Sequence, residues 1–150
     1  WMGAGSPSSV KQVAALGFNM LLGQFDSFEE ITNSVALFKS EVESSGRTFD
    51  PMSVAVARSV NVVDSVPEYE HALETRMAAR RRTQTLASRP NFQDTREAAE
   101  AGTLYGPAGE ISEKLQSLRD SGVEYVLLNS PGGISTLRRF AKEVMPRFTG

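Results

Sequence analysis

The sequence predicts an α/β domain with parallel strands. Three observations carry this. Short apolar runs, "FNMLLG", "MSVAVARSVNVV" and "VEYVLLN", are separated by amphipathic stretches of helical length. Helix-start signals stand between them, among them Ser27-Phe28-Glu29-Glu30 and Ser65-Val66-Pro67-Glu68, both with capping-box spacing. The strand runs are almost continuously apolar, as strands covered on both faces are. Strands that alternate with helices in this way are joined by right-handed crossovers and lie parallel.

The elements follow in order. Trp1 to Gly3 reads as the end of a strand. Ser6 is a strong N-cap and Pro7 suits the first helical position. Val10, Val13 and Ala14 give that helix one apolar stripe, and Gly17 ends it. The strand "FNMLLG" closes at Gly23. Behind Ser27, the residues Phe28, Ile31, Val35, Phe38 and Val42 recur at steps of three and four, up to Gly46. A Val-rich strand follows Pro51, and a helix then runs from Ser65 to about Arg82. Residues 83–102 are less regular: "TLASRPNFQDT" reads as a loop insertion and "REAAEAG" as a short helix. Ile111, Leu115 and Leu118 mark a helix closed by Gly122. After the strand "VEYVLLN", the turn "SPGG" leads into a last helix carrying Leu137, Phe140, Ala141 and Val144. Four strands are expected in all.

Composition narrows the function. At 150 residues the chain is long enough for one domain with its own core. A net charge of −2 gives no general attraction for nucleic acid or an anionic membrane. With no cysteine there is no disulfide, thiolate metal site or Cys nucleophile. The single histidine, His71, leaves almost no room for a zinc site or a Ser-His-Asp triad. No apolar run approaches the roughly 20 residues of a membrane-spanning helix. A reducing cytoplasmic setting is the default.

The first turn has the make-up of an anion site. A strand, then Gly3-Ala4-Gly5-Ser6, then a helix lets a phosphate approach backbone N–H groups at the positive end of a helix dipole. Ser6, Ser8 and Ser9 add hydroxyl donors. The plain alternative is a tight βα turn with a good cap. A dinucleotide fingerprint fits worse, because Ser8 stands where its third glycine belongs and Asp26 sits in a loop that enters a capped helix. A P-loop is excluded by the lack of Gly-Lys-Ser/Thr.

Four stretches together resemble the bacterial luciferase-like flavin-dependent oxidoreductases. They are "WMGAGSPSSVKQVAALGFNMLLG", "VARSVNVVDSVPEYEHAL", "LYGPAGEISEKLQSLRDSGVEYVLLN" and "GGISTLRRFAKEVMPRF". The resemblance implies an eight-stranded (β/α)8 barrel (a TIM barrel) of which this chain supplies the carboxy-terminal half, four parallel strands with flanking helices, with Trp1-Met2 as the end of a barrel strand. Gly3, Ala4, Gly5 and Ser6, with Ser8 and Ser9 as weaker members, match the loop by which the family holds the phosphate of FMN or of a deazaflavin coenzyme. The implied partners are the flavin, a small organic substrate, the missing amino-terminal half-barrel and a second copy in a homodimer. The implied activity is oxygenation by reduced flavin, or hydride transfer with a deazaflavin. Catalytic groups would lie in the missing half, so the isolated chain is expected to be inactive. A non-catalytic half-barrel for binding or assembly is the alternative, and an ordinary doubly wound domain a third. At "YGPAGEI" the chain departs from the family pattern, because Pro107, Ala108 and Gly109 replace a hydroxyl cap.

The remaining candidates are weaker. Arg58, mid-strand, needs a partner or an open site; a substrate pocket and a structural ion pair are the two readings. Phe92 could cap a pocket or merely anchor its loop. Asn129 and Ser130 end the last strand, where barrel chemistry is sited; construction of the loop by Pro131-Gly132-Gly133 is the other reading. His71 does not match the family's catalytic histidine and reads as a surface residue. The basic run "RMAARRR" reads as a solvated helix face.

Overall fold

The computed structural model describes residues 1–86, 93 and 95–149. Among the described residues there are five strands: β1 (Met2–Ala4), β2 (Met20–Leu22), β3 (Val54–Val62), β4 (Thr103–Gly106) and β5 (Tyr125–Asn129). The helices are α1 (Pro7–Ala15), α2 (Phe28–Ser44), α3 (Val66–Leu86), α4 (Arg96–Ala101), α5 (Ala108–Asp120) and α6 (Gly133–Glu143). Every strand pair is parallel. The expectation of four strands is corrected by β4, four residues that directly follow Gly102. Residues 83–86 belong to α3 and 96–101 form α4, while the rest of the expected loop, Phe92 included, falls mainly outside the described residues.

The register explains how five strands make a wall four strands wide. Ala55 pairs with both Leu21 and Tyr125, and Ser59 pairs with both Thr103 and Asn129. A strand has only two edges, so β5 takes one edge of β3, and β2 and β4 share the other in tandem. The order is β1, then β2 with β4, then β3, then β5. From β3 the chain steps back to β4, on the same edge as β2, before it crosses to β5 on the other edge. Helices α1, α2, α5 and α6 pack on one face of the wall, as helices do around a barrel.

Side chains that share a register row share a face. Met20, Leu22, Val54 and Val56 point at the helices and pack with Val10, Val13, Ile31, Val35 and Phe38. Val60, Val62 and Leu104 do the same against Ile111, Phe140 and Val144. The opposite face is concave. Trp1 and Tyr125 lie at opposite margins of the wall, about 14 Å apart on a flat sheet, yet their ring centroids are 5.8 Å apart. Double cover, expected from the apolar runs, is absent here: Trp1 is 58 % exposed, Tyr125 43 % and Leu127 41 %. The exposure is confined to one end of this face, because Ser59, Thr103 and Tyr105 in the same face are buried.

Local chemistry sets the helix ends as the sequence indicates. Ser27 and Glu30 form a complete capping box, Ser27 N–H donating to Glu30 Oε2 at 2.7 Å and Glu30 N–H to Ser27 Oγ at 3.2 Å. At α3 the box is half built: Ser65 Oγ accepts from Glu68 N–H, but the Glu68 carboxylate takes Asp64 N–H instead. Pro107 starts α5 with no side-chain cap, as its sequence requires. Helices α1, α2 and α5 all end in the same motif, with a left-handed glycine after the cap: Gly17, Gly46 and Gly122. In α5, Gly122 N–H reaches Arg119 O at 2.9 Å and Val123 N–H reaches Leu118 O at 3.0 Å.

Candidate functional site

Parallel strands bring all their carboxyl ends to one rim, where βα loops meet. The turn from Gly3 to Ser9 leaves β1 at this rim. Gly3 lies in the concave row, and a Cβ built on it meets nothing within 4 Å. Gly5, Ser6 and Ser8 are exposed and Ser9 is half-buried. Ala4 differs: it is 6 % exposed and packs in the helix-side core, so only its backbone belongs to the turn.

Ser6 caps α1 by accepting from Ser9 N–H. Ser9 Oγ accepts from Gly5 N–H at 3.1 Å and Ser6 N–H at 3.0 Å. Ser6 Oγ lies 3.1 Å from both Ser8 Oγ and Ser9 Oγ. The turn thus presents three clustered hydroxyls and two backbone donors that a single serine occupies. Gly5 and Ser6 N–H are the donors that an anion at this turn would have to take over from Ser9 Oγ.

Arg58 is placed on the other side of the wall. Its row, with Leu128, faces the helices, and it is 0 % exposed. It is therefore no lining residue of the concave face. On the edge of β3 shared by β2 and β4, pairing covers residues 54–56 and 59–62 and skips 57–58. Arg58 fills the gap, donating from Nη1 to Gly23 O and Ala57 O and from Nη2 to Asp26 O, each at 3.0 Å. Its guanidinium also stands 5.3 Å from the Phe28 ring centroid. Burial lowers its pKa to about 10, offset by the Asp26 charge, so it stays protonated at neutral pH. Burial pushes the Asp26 carboxyl up, with Glu30 adding to the shift.

The basic run on α3 is also corrected. Arg81 and Arg82 are exposed, but Arg76 and Arg80 are 3 % and 1 % exposed. Four residues apart, they share the buried stripe of Ala72 and Leu73 and stand 4.6 and 5.0 Å from the Phe25 ring centroid. Arg76 donates from Nη1 to Gln24 Oε1 at 3.1 Å and from Nη2 to Gln24 O. Asn129 Nδ2 donates to the same Gln24 Oε1 at 3.1 Å. Beside them, Tyr105 and Ser59 hydroxyls are 2.9 Å apart in buried surroundings. Burial lowers the Arg76 pKa to about 10 and raises that of Tyr105. Gln24, Ser59, Arg76 and Tyr105 were missed by sequence reading. The signal that could have found the arginine is its step of four along a stripe of small and apolar residues.

Asn129 is thus brought into a cluster on the concave face, whereas Ser130 Oγ is buried with no partner among the described residues. His71 is exposed. Phe92 lies outside the described residues. Among the described residues no three His, Cys, Asp or Glu side chains group as metal ligands, and no helix is long and apolar enough to cross a membrane.

No family model and no curated protein matches this chain. Solved structures do. Monooxygenase RslO1 from Streptomyces bottropensis is 17 % identical with a TM-score of 0.69, over 98 % of this chain and 47 % of that one. The coenzyme F420-dependent tetrahydromethanopterin reductase of Methanopyrus kandleri is 16 % identical with a TM-score of 0.71, over 99 % and 50 %. The oxygenating constituent of 3,6-diketocamphane monooxygenase from Pseudomonas putida, solved with FMN, is 16 % identical with a TM-score of 0.63, over 93 % and 45 %. This chain therefore spans about half the length of these proteins, and its parallel wall with flanking helices is the half-barrel fold of luciferase-like monooxygenases and F420-dependent reductases.

Proposed function

We propose that the chain is the carboxy-terminal half-barrel of a cytoplasmic flavin-dependent oxidoreductase, acting on a small organic substrate, and that its turn Gly3–Ser9 holds the coenzyme phosphate. The observation that carries the reading is that turn: clustered hydroxyls and backbone donors at the carboxyl end of a strand, beside an uncrowded glycine. FMN is the first choice because one similar protein was solved with it; a deazaflavin is the alternative, because another depends on F420. The bound flavin supplies the electron transfer. Gly5 and Ser6 N–H and the serine hydroxyls anchor and orient it, and the concave face shields one side of the ring from water.

Comparing FMN with riboflavin by fluorescence titration tests this. Both carry the same ring, and only FMN has the phosphate. FMN should bind about tenfold or more tightly, the size of charge-assisted hydrogen bonds. Ser6→Ala should lower FMN affinity, leave riboflavin affinity unchanged and cost about 1 kcal/mol of stability through the lost cap. Equal affinities for FMN and riboflavin would discard the phosphate role.

The bare concave rows favour a second reading, a half-barrel built for assembly. Trp1, Tyr125 and Leu127 are exposed together, and β1 and β5 each pair on one edge only. Such a surface associates with a matching half-barrel or a second copy. Sedimentation should show concentration-dependent dimerisation that Leu127→Arg abolishes; a monomer at every concentration would exclude self-assembly.

A further inference from the structure

We infer that Gln24 and Asn129 form a recognition edge for a ligand that carries a lactam or cyclic imide group. The inference rests on the proposed function only for the coenzyme as one possible source of that group.

The argument starts from Arg76. A guanidinium has five donors and no acceptor, so only the carbonyl oxygen of the Gln24 amide can face Nη1, at 3.1 Å. Gln24 O, its main-chain carbonyl, is held by Nη2 of the same guanidinium, which leaves the side chain little freedom to turn. Arg76 is 3 % exposed, its Nε has no partner among the described residues and its guanidinium stands over the Phe25 ring, while Nη1 and Nη2 both donate to Gln24. With Gln24 Oε1 fixed as an acceptor, the Asn129 group bonded to it must be the amide nitrogen, at 3.1 Å. The polarity set by one buried cation is passed along two amides. What remains for a ligand is then determined: Gln24 Nε2 as donor and Asn129 Oδ1 as acceptor. Neither has a partner among the described residues, and neither is a buried unsatisfied atom. Gln24 is half-buried and Asn129 exposed.

The position suits a ligand. Asn129 closes β5 in the concave row shared with Ser59 and Thr103. Gln24 follows β2, next to the strand whose end carries the Gly3–Ser9 turn. The amide pair therefore bridges two strands at the rim where βα loops of a barrel build their site. A donor beside an acceptor is complemented by a carbonyl next to an N–H, the edge of a lactam or imide. The pyrimidine-dione ring of a flavin has one, and so does any substrate with a cyclic amide. A carboxylate lacks the donor, and an alkyl chain lacks both.

Three probes separate the outcomes on the intact chain: riboflavin, 3-methylriboflavin with its imide N–H blocked, and glutarimide. Riboflavin has no phosphate, so this comparison is independent of the test on the Gly3–Ser9 turn. Riboflavin should bind about fivefold more tightly than its 3-methyl form, the worth of one lost hydrogen bond in a partly buried site. Gln24→Glu keeps an acceptor for Arg76, so the fold stands, but removes the donor to the ring carbonyl and should weaken both flavins alike; Asn129→Leu removes the acceptor of the N–H and should erase the difference. Glutarimide that competes with riboflavin assigns the edge to the coenzyme ring; glutarimide that binds beside riboflavin assigns it to the substrate. Equal binding of both flavins together with no binding of glutarimide overturns the inference.

Discussion

Arg58→Ala should remove about 3–5 kcal/mol of folding free energy, the range for breaking a buried, hydrogen-bonded charge. Three carbonyls in part-buried contacts, from Gly23, Ala57 and Asp26, lose the Arg58 donors at once, and a carbonyl orphaned away from water costs about 1–3 kcal/mol. The Phe28 ring loses its cation and a void opens in the helix-side layer. The site is unusually sensitive because no strand covers residues 57–58 on that edge of β3. Arg58 supplies the donors that a neighbouring strand would otherwise provide. Arg58→Met restores much of the volume and none of the donors, so it should recover less than half of the loss. Urea denaturation with an unchanged m-value reads both variants. A loss below about 1 kcal/mol for Arg58→Ala would show that water enters the gap and satisfies the carbonyls.

Gly122→Val should cost about 3 kcal/mol, from two sources. The position has φ near +96°, which a β-branched residue adopts only with strain. A Cβ there would lie 3.3 Å from Val35 Cγ1 and 3.4 Å from Phe49 Cε1, so the branched side chain has no room. Gly46 separates the two contributions. It has φ near +77° and nothing within 4 Å of a built Cβ, so Gly46→Ala should cost only the backbone part, about 1 kcal/mol. If the two glycine variants lose equal stability in thermal unfolding, crowding at Gly122 is not a factor.

What could be read from the sequence was whatever is settled locally. Ser6, Ser27 and Ser65 start helices because their hydroxyls reach N–H groups three residues on, and Gly17, Gly46 and Gly122 end them because the chain needs a left-handed step. Strand β4 escaped because four residues after an irregular region carry too little periodicity to stand out. Arg58 was visible as a charge in need of partners, but its partners are main-chain carbonyls 32 and 35 residues away, and carbonyls leave no mark in a sequence. The Gln24, Arg76 and Asn129 cluster joins residues 52 and 105 positions apart, which only the tertiary arrangement brings together. The turn after β1 lies between these cases: its capping was legible, while the capture of Gly5 and Ser6 N–H by Ser9 depends on a rotamer.

The uniform direction of the strands has an electrical consequence. Helices α1, α2, α3, α5 and α6 each begin soon after a strand ends, so their partial positive poles gather at the same end of the molecule. In a protein with net charge −2, that end is where the backbone itself favours small anions.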